Sequence, residues 1–451
     1  MKKLKIIFFI FIFLMQFIIF ISPSYADSDN LKTYCPSCIL IEANTGKILY
    51  EKNSNDVRFP ASTTKIMTAI LTVENCNLDD VATVSHNAVY SIPYDYTHAS
   101  LKEGEELTIE QLLYALMIPS ANDAAIVLAE HISGSVEEFA KLMNKRAEEL
   151  GCKNTHFVNP NGIHSKDHTS TSYDLALMGK FAMQNSIIRK IVSTTQFTLP
   201  ATNKYSKTDR IFNNSNDLLN TYSRYYYEGT TGVKTGYTGE AGNCIIASAK
   251  KNNLEVILVV LGGESTNTGL SQRYLDCKTL FDYAFKNYSI KTLNEKNAVL
   301  KQITVRGATE ETQNLNVLIK DKIEIFSENS ADLSSLEPEI TLDENLMAPI
   351  SANSAIGKIT YNYDGQTYSS DLIAETQVLS SDFLPLLFRI LLIFVVLYLY
   401  FWKNLKINLK KHIRKKLKVE IINLRSLVII KNNRALILIS APYFFIHLFL
   451  K

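Results

Sequence analysis

Between Phe383 and Trp402 the chain runs for 20 residues with a single charged side chain, Arg389. Such a run is long enough to cross a bilayer as a helix. Pro385 and Arg389 are costly at depth, but Arg389 lies near the outer third, from where it can snorkel. A helix lying flat on a membrane would need a polar face, which this run lacks. The next segment, Lys403 to Lys418, holds eight Lys+Arg. Such a cluster stays on the cytoplasmic side. Residues 403–451 are therefore expected to form a basic cytoplasmic tail, within which Ala435 to Leu450 is apolar again but interrupted by Pro442.

The other end of the chain reads as a secretory signal over residues 1–26. Lys2, Lys3 and Lys5 form a charged start, Ile6 to Ile21 is apolar apart from Gln16, and Ser24-Tyr25-Ala26 offers small residues for cleavage before Asp27. The two ends together predict an exported body, 27–382, hung from one C-terminal helix. Of 47 Lys+Arg in the chain, twelve fall in 403–451 and three in the first 26 residues. The body holds 44 of the 45 acidic residues. An acidic body argues against nucleic-acid binding. With 46% hydrophobic and 20% charged residues in 451, the chain is a folded protein of two or three domains and not a disordered one. Six cysteines are few for a disulfide scaffold. Cys35 and Cys38 form one Cys-x-x-Cys without the second pair that a zinc site needs. They read as a local disulfide or as two idle thiols, and Cys76, Cys152, Cys244 and Cys277 as isolated residues.

Cys38–Ala43 and Lys47–Glu51 flank Asn44-Thr45-Gly46 and predict a hairpin. After Pro60 a helical pattern begins at Ser62. Ile109–Leu116, Asp123–His131, Val136–Leu150 and Tyr173–Met183 read as further helices. Thr231–Tyr237, Cys244–Ala249 and Glu255–Leu261 read as strands, with a helix from Leu270 to Phe285. Strands at both ends with helices between them predict an α+β domain over 27–289, its sheet closed by terminal strands. From 290 to 375, short runs such as Leu315–Ile319, Lys322–Phe326 and Gly357–Tyr363 predict a small all-β domain, a spacer before the membrane helix 383–402.

Three short motifs carry the chemistry. Ser62-Thr63-Thr64-Lys65 places a hydroxyl and an amine three residues apart on one helical face. The helix dipole favours developing negative charge at Ser62, and burial would lower the Lys65 pKa and make it a neutral base. The same spacing at Ser248 falls at a strand end. Ser-x-Asn recurs in the chain, but only Ser120-Ala121-Asn122 lies in a short loop between helices. Lys234-Thr235-Gly236 lies on an expected strand, where Lys234 supplies charge, the Thr235 hydroxyl can bind a carboxylate, and Gly236 leaves room for a substrate backbone.

Together these motifs resemble those of the penicillin-binding proteins and serine β-lactamases. The fuller resemblance is to low-molecular-weight serine-type D-alanyl-D-alanine carboxypeptidases. It is carried by Pro60–Thr68, Ser120–Ala125, Gly232–Thr238, Asn159-Pro160-Asn161-Gly162 and Ser172-Tyr173-Asp174-Leu175, and covers about residues 36–375. The resemblance implies the β-lactamase/transpeptidase-like fold, with an antiparallel sheet and a helical cluster. It also implies roles. Ser62 attacks the carbonyl between two D-alanines, Lys65 takes its proton, and Ser120, bridging toward Lys234, protonates the departing D-alanine. Asn122 holds the substrate amide. Thr235, assisted by Arg273, binds the terminal carboxylate. The backbone N–H groups of Ser62 and Tyr237 form the oxyanion hole. The implied partners are peptidoglycan stem peptides ending in D-Ala-D-Ala, β-lactam antibiotics and the membrane, with no nucleic acid.

Neighbouring activities leave different traces. A class A β-lactamase would carry a Glu in the region of His156 to His164, which has none. A bifunctional transpeptidase would need a glycosyltransferase domain ahead of Ser62, for which 35 residues after the cleavage site leave no room. Endopeptidase action on cross-links stays open. A non-catalytic penicillin or muropeptide sensor would be expected to have a larger cytoplasmic domain, and a structural wall-binding protein would not need Ser62. His164, Asp167 and His168 cluster, but a catalytic zinc wants three ligands and a base. A loop and its cap account for them, so no metal or other cofactor is expected.

Overall fold

The computed structural model describes residues 31–206, 209–381 and 383–430. The expected signal segment, 1–26, lies outside them. β1 (Ser37–Glu42) and β2 (Ile48–Lys52) form the expected hairpin, with Gly46 at φ +79° in its turn. The buried Glu42 carboxylate accepts from the backbone N–H groups and side chains of Asn44 and Thr45, which gives a buried charge the partners it requires.

The Ser62 turn (Ala61–Thr64) leads into α1 (Lys65–Asn75), whose residues from Lys65 to Thr72 are all buried. Lys65 is drawn into the interior by the helix it begins. Next come β3 (Val81–Thr83), α2 (His86–Tyr90) and β4 (Glu106–Thr108), with β3 and β4 paired. α3 (Ile109–Met117) opens with a capping box between Thr108 and Gln111. The four residues Ile118 to Ala121 form a helix-to-helix joint that carries the chain to Asn122, where α4 (Asn122–Ser133) starts. It stops at Gly134, at φ +79°. α5 (Val136–Glu149), α6 (Ser172–Gln184) and α7 (Ser186–Ser193) complete the cluster, followed by the paired β5 (Gln196–Leu199) and β6 (Arg210–Asn213).

β7 (Thr230–Thr238), β8 (Gly242–Lys251) and β9 (Leu254–Gly263) join the hairpin in one antiparallel sheet of order β2-β1-β9-β8-β7. The sheet is buried on both faces, and period-two alternation sorts its side chains. Ile39, Ile41, Ile257 and Val259 pack with the helical cluster, including Ile66, Leu112, Leu128 and Met178. Leu40, Val256, Leu258 and Val260 pack with Leu280 and Phe281 of α8 (Gln272–Asn287). This two-sided burial explains why β9 reads as an unbroken apolar run in sequence. All six cysteines are free, with Cys35 and Cys38 buried. Burial pushes the Cys35 thiol up and the Cys38 thiol to about 12.

β10 (Tyr288–Asn294), β11 (Val299–Thr304), β12 (Asn314–Ile319), β13 (Ile323–Glu328), β14 (Glu339–Leu342), β15 (Ala355–Tyr363) and β16 (Gln366–Ala374) form two further sheets. One pairs β10 with β13, and the other has the order β11-β12-β16-β15-β14. The α+β domain, the later all-β region and the apolar helix are thus present as expected. By contact the chain groups into two units. The first unit comprises the chain up to Glu295 with Lys322–Glu339 and Thr360–Ser369. The second comprises Lys296–Asp321, Ile340–Ile359 and the chain from Ser370. β13, expected as part of the β domain, groups with the first unit because its partner β10 continues directly from α8.

α9 (Phe383–Ile430) does not stop at Trp402 but continues through the basic segment. No Gly or Pro follows Pro385 within it, and its Leu, Ile and Lys residues favour helix. Its stretch Pro385–Ile422 is the one helix among the described residues long and apolar enough to cross a membrane.

Candidate active site

The site is assembled where three distant segments meet. Ser62 lies in the one-turn helix preceding α1, and the residue before it, Ala61, adopts φ +49°. Ser120 adopts φ +69° in the α3–α4 joint. A left-handed conformation costs a non-glycine residue about 1–2 kcal/mol, so the surrounding packing holds both residues there. β7 contributes the third segment.

Lys65 Nζ lies 2.8 Å from Ser62 Oγ, 2.8 Å from Asn122 Oδ1 and 2.7 Å from the carbonyl oxygen of Asn161. Burial, reinforced by the positive charge of Lys234, holds the Lys65 amine well below its ordinary value, with Asp123 acting weakly in the opposite sense. A neutral amine has two N–H donors and one lone pair. In that form two donors satisfy Asn122 and Asn161, and the lone pair is left for the Ser62 hydroxyl. Asn122 is fixed in turn, since its backbone N–H and its Nδ2 both donate to the Thr97 carbonyl at 3.0 Å.

Lys234 is equally buried, and burial with the Arg273 charge lowers it to about 7. Its ammonium donates to the Thr235 carbonyl at 2.9 Å. Among the described residues no hydrogen bond joins Ser120 to Lys234. The Thr235 hydroxyl lies 2.7 Å from Ser215 Oγ. Arg273 Nη1 donates to the carbonyls of Gly236 at 3.0 Å and Cys244 at 3.3 Å. Its guanidinium lies over the Tyr274 ring, 4.6 Å from the centroid.

A cavity of about 380 Å³ opens above these groups. Ser62, Ser120, Asn122, Thr235, Gly236, Tyr237 and Arg273 line it, while Lys65 and Lys234 are buried behind its wall. All nine residues singled out from the sequence therefore converge. Sequence reasoning assigned no role to the Asn161 carbonyl, Ser215 or the segment Asp95–Thr97. A backbone carbonyl leaves no trace in residue type, and Ser215 sits among asparagines in a stretch without a pattern.

His168, weighed above as a metal ligand, is buried between two protein partners. Nδ1 accepts from Val158 N–H at 3.1 Å, and Nε2 lies 2.8 Å from Thr64 Oγ1. Burial, with His156 and His164 nearby, lowers it to about 3, so it is neutral and Nε2 donates. Among the described residues no three His, Cys, Asp or Glu side chains come together as a metal site.

The match to known proteins agrees with this geometry. Residues 26–265 match the family model described as D-alanyl-D-alanine carboxypeptidase. The chain belongs to the D-alanyl-D-alanine carboxypeptidase family. Residues 288–380 match the model of the C-terminal domain of penicillin-binding protein 5. The D-alanyl-D-alanine carboxypeptidase DacF of Bacillus subtilis (strain 168) is 35% identical over 391 residues, covering 84% of this chain and 94% of that protein. The crystal structure of penicillin binding protein 5 from Haemophilus influenzae superposes with a TM-score of 0.56 at 28% identity, over 77% of this chain and 98% of that one. A peptidoglycan synthesis regulatory factor (PBP3) from Streptococcus pneumoniae shares the fold, with a TM-score of 0.65 at 22% identity over 77% of this chain and all of that one. Family membership bears out the expectation of a serine-type D-Ala-D-Ala carboxypeptidase of the penicillin-binding class.

Proposed function

We propose that Ser62 is the nucleophile of this carboxypeptidase and that the cavity removes the terminal D-alanine from peptidoglycan stem peptides. The supporting observation is the buried Lys65 amine, its pKa held well below the ordinary value, 2.8 Å from Ser62 Oγ. Lys65 accepts the hydroxyl proton as the Ser62 oxygen attacks the carbonyl between the D-alanines. The Ser62 and Tyr237 backbone N–H groups stabilise the oxyanion. Ser120, coupled to Lys234 once substrate fills the cavity, protonates the departing amine. The C–N bond breaks, D-alanine leaves, and a Ser62 ester remains. Water then adds to the ester and releases the shortened peptide and the Ser62 hydroxyl.

Asn122 orients the substrate amide, while Thr235 and Arg273 receive the terminal carboxylate. Gly236 lets the substrate backbone lie against β7. A β-lactam acylates the same oxygen because its strained ring amide occupies the place of the scissile bond. Residues 27–289 form the catalytic domain and 290–375 the β-rich domain. α9 anchors the chain from its apolar half, Phe383–Trp402, with the catalytic domain outside and the basic half in the cytoplasm.

The test follows D-alanine release from diacetyl-Lys-D-Ala-D-Ala and protein mass together, with and without penicillin. Release blocked by penicillin, with one adduct on Ser62, is the expected result. An adduct without any release would favour a sensor, or an endopeptidase that requires cross-linked substrate. In the variant Ser62→Ala both labelling and release should vanish, and labelling at the wild-type level would overturn the nucleophile assignment.

A further inference from the structure

We propose that Asp95 recognises a positive charge on the substrate, the free side-chain amine of the diamino residue that precedes the two D-alanines. This rests on the carboxypeptidase reading above. Of the 16 residues lining the Ser62 cavity, Arg273 and Asp95 are the two that carry a charge. They belong to different walls. Arg273 is fixed on the sheet side by the carbonyls of Gly236 and Cys244. Asp95 lies two residues before Thr97, whose carbonyl is bound by both nitrogens of Asn122 on the helical side. Asp95 is exposed, and among the described residues no Lys, Arg or His forms an ion pair with it.

A cleft with a cation on one wall and an anion on the other fits a ligand with one charge of each sign. The peptide supplies them. Its C-terminal carboxylate goes to Arg273, and the amine of the residue before the scissile pair is the charge left for Asp95. An extended peptide advances about 3.3 Å per residue, so that residue lies next to the acylation point and its long side chain spans the cavity. A stem peptide whose amine has been consumed in a cross-link has no such charge. Asp95 therefore favours stem peptides that are not yet cross-linked.

The experiment compares Nα-acetyl-Lys-D-Ala-D-Ala with its Nα,Nε-diacetyl counterpart on the full-length protein. An exposed charge pair favours the free amine by about two- to five-fold in kcat/KM, and the ratio should shrink as salt is raised. It should fall to about one in Asp95→Asn and below one in Asp95→Lys. Equal rates in the wild type, a salt-independent ratio, or an unchanged ratio in the variants would overturn the proposal. Should the variants be inactive on both peptides, the salt dependence of the wild type decides. Failure of the wild type to hydrolyse either peptide would instead remove the carboxypeptidase reading, and this proposal with it. Ligation of two free-amine peptides, in place of shortening, would make the amine an acceptor and overturn the assignment.

Discussion

Two amines are buried side by side in this site, and burying an ammonium is costly. For Lys234 the direction of its effect on stability follows from the shift from 10.5 to about 7. Between these values the unfolded chain binds the proton and the folded protein does not. Stability therefore rises with pH across that window; below it the penalty is complete and no longer changes with pH. At about 1.4 kcal/mol per unit, the suppressed stability at neutral pH is on the order of several kcal/mol. The variant Lys234→Met should melt a few degrees higher than wild type at pH 7, with the gain vanishing toward the top of the window, while penicillin acylation falls about 10²-fold. Calorimetry at several pH values, with labelling rates alongside, checks both halves. Lys65→Arg keeps its charge at every accessible pH, so it should lower acylation by about 10²–10⁴-fold without restoring an acid limb, as a pH series of labelling rates would show. The hydroxyl and amine types at these positions were legible in the sequence. The Asn161 carbonyl that completes the Lys65 coordination was not, because any residue could supply it.

At the scale of elements, convergence depends on gaps left by missing side chains. Gly162 sits at φ +83°, and a Cβ there would lie 1.9 Å from the Ala61 carbonyl oxygen. A Cβ on Gly236 would lie 2.9 Å from Ser62 N. Backbone meets backbone at both points, so neither neighbour can swing aside as a side chain would. Gly162→Ala should therefore push the 159–163 loop off the Ser62 turn and abolish penicillin labelling, with a lower Tm by calorimetry. His168 bridges the same two elements through Thr64 and Val158, and His168→Ala leaves the buried Thr64 hydroxyl and the half-buried Val158 N–H unpaired. A loss of about 2–4 kcal/mol in denaturant unfolding is expected. Long helices and the central strands were legible from periodicity, which needs several repeats to register. β3 and β4, with three residues each, are too short to show alternation. α7 follows α6 across Asn185 alone, without the polar break that usually marks a boundary. α9 outran its expected end because composition marks where lipid contact should stop, whereas helix continuation depends on the absence of breakers.

For the whole molecule, the proposed anchoring by α9 makes a direct prediction. Removing residues 383–451 should release a chain that fractionates as soluble and still reacts with penicillin, whereas persistent membrane association would argue for a second attachment. The two contact units were only partly legible. Composition changes near 290, but β13 returns to pair with β10, and pairing across intervening chain is invisible to a linear reading. The order β2-β1-β9-β8-β7 carries a further consequence for how the chain is made. Ser37 pairs with Leu261, and the wall of β7 stands beyond β8. A chain that emerges N-terminus first thus presents Ser62 early, while the strands that complete the sheet follow only from Thr230 onward. Until β9 has emerged, β1 has no neighbour on that side, and an unpaired apolar edge invites aggregation. Nascent fragments ending before Leu254 should accordingly fail to react with penicillin, and reactivity should appear only once the last strand of the sheet can close.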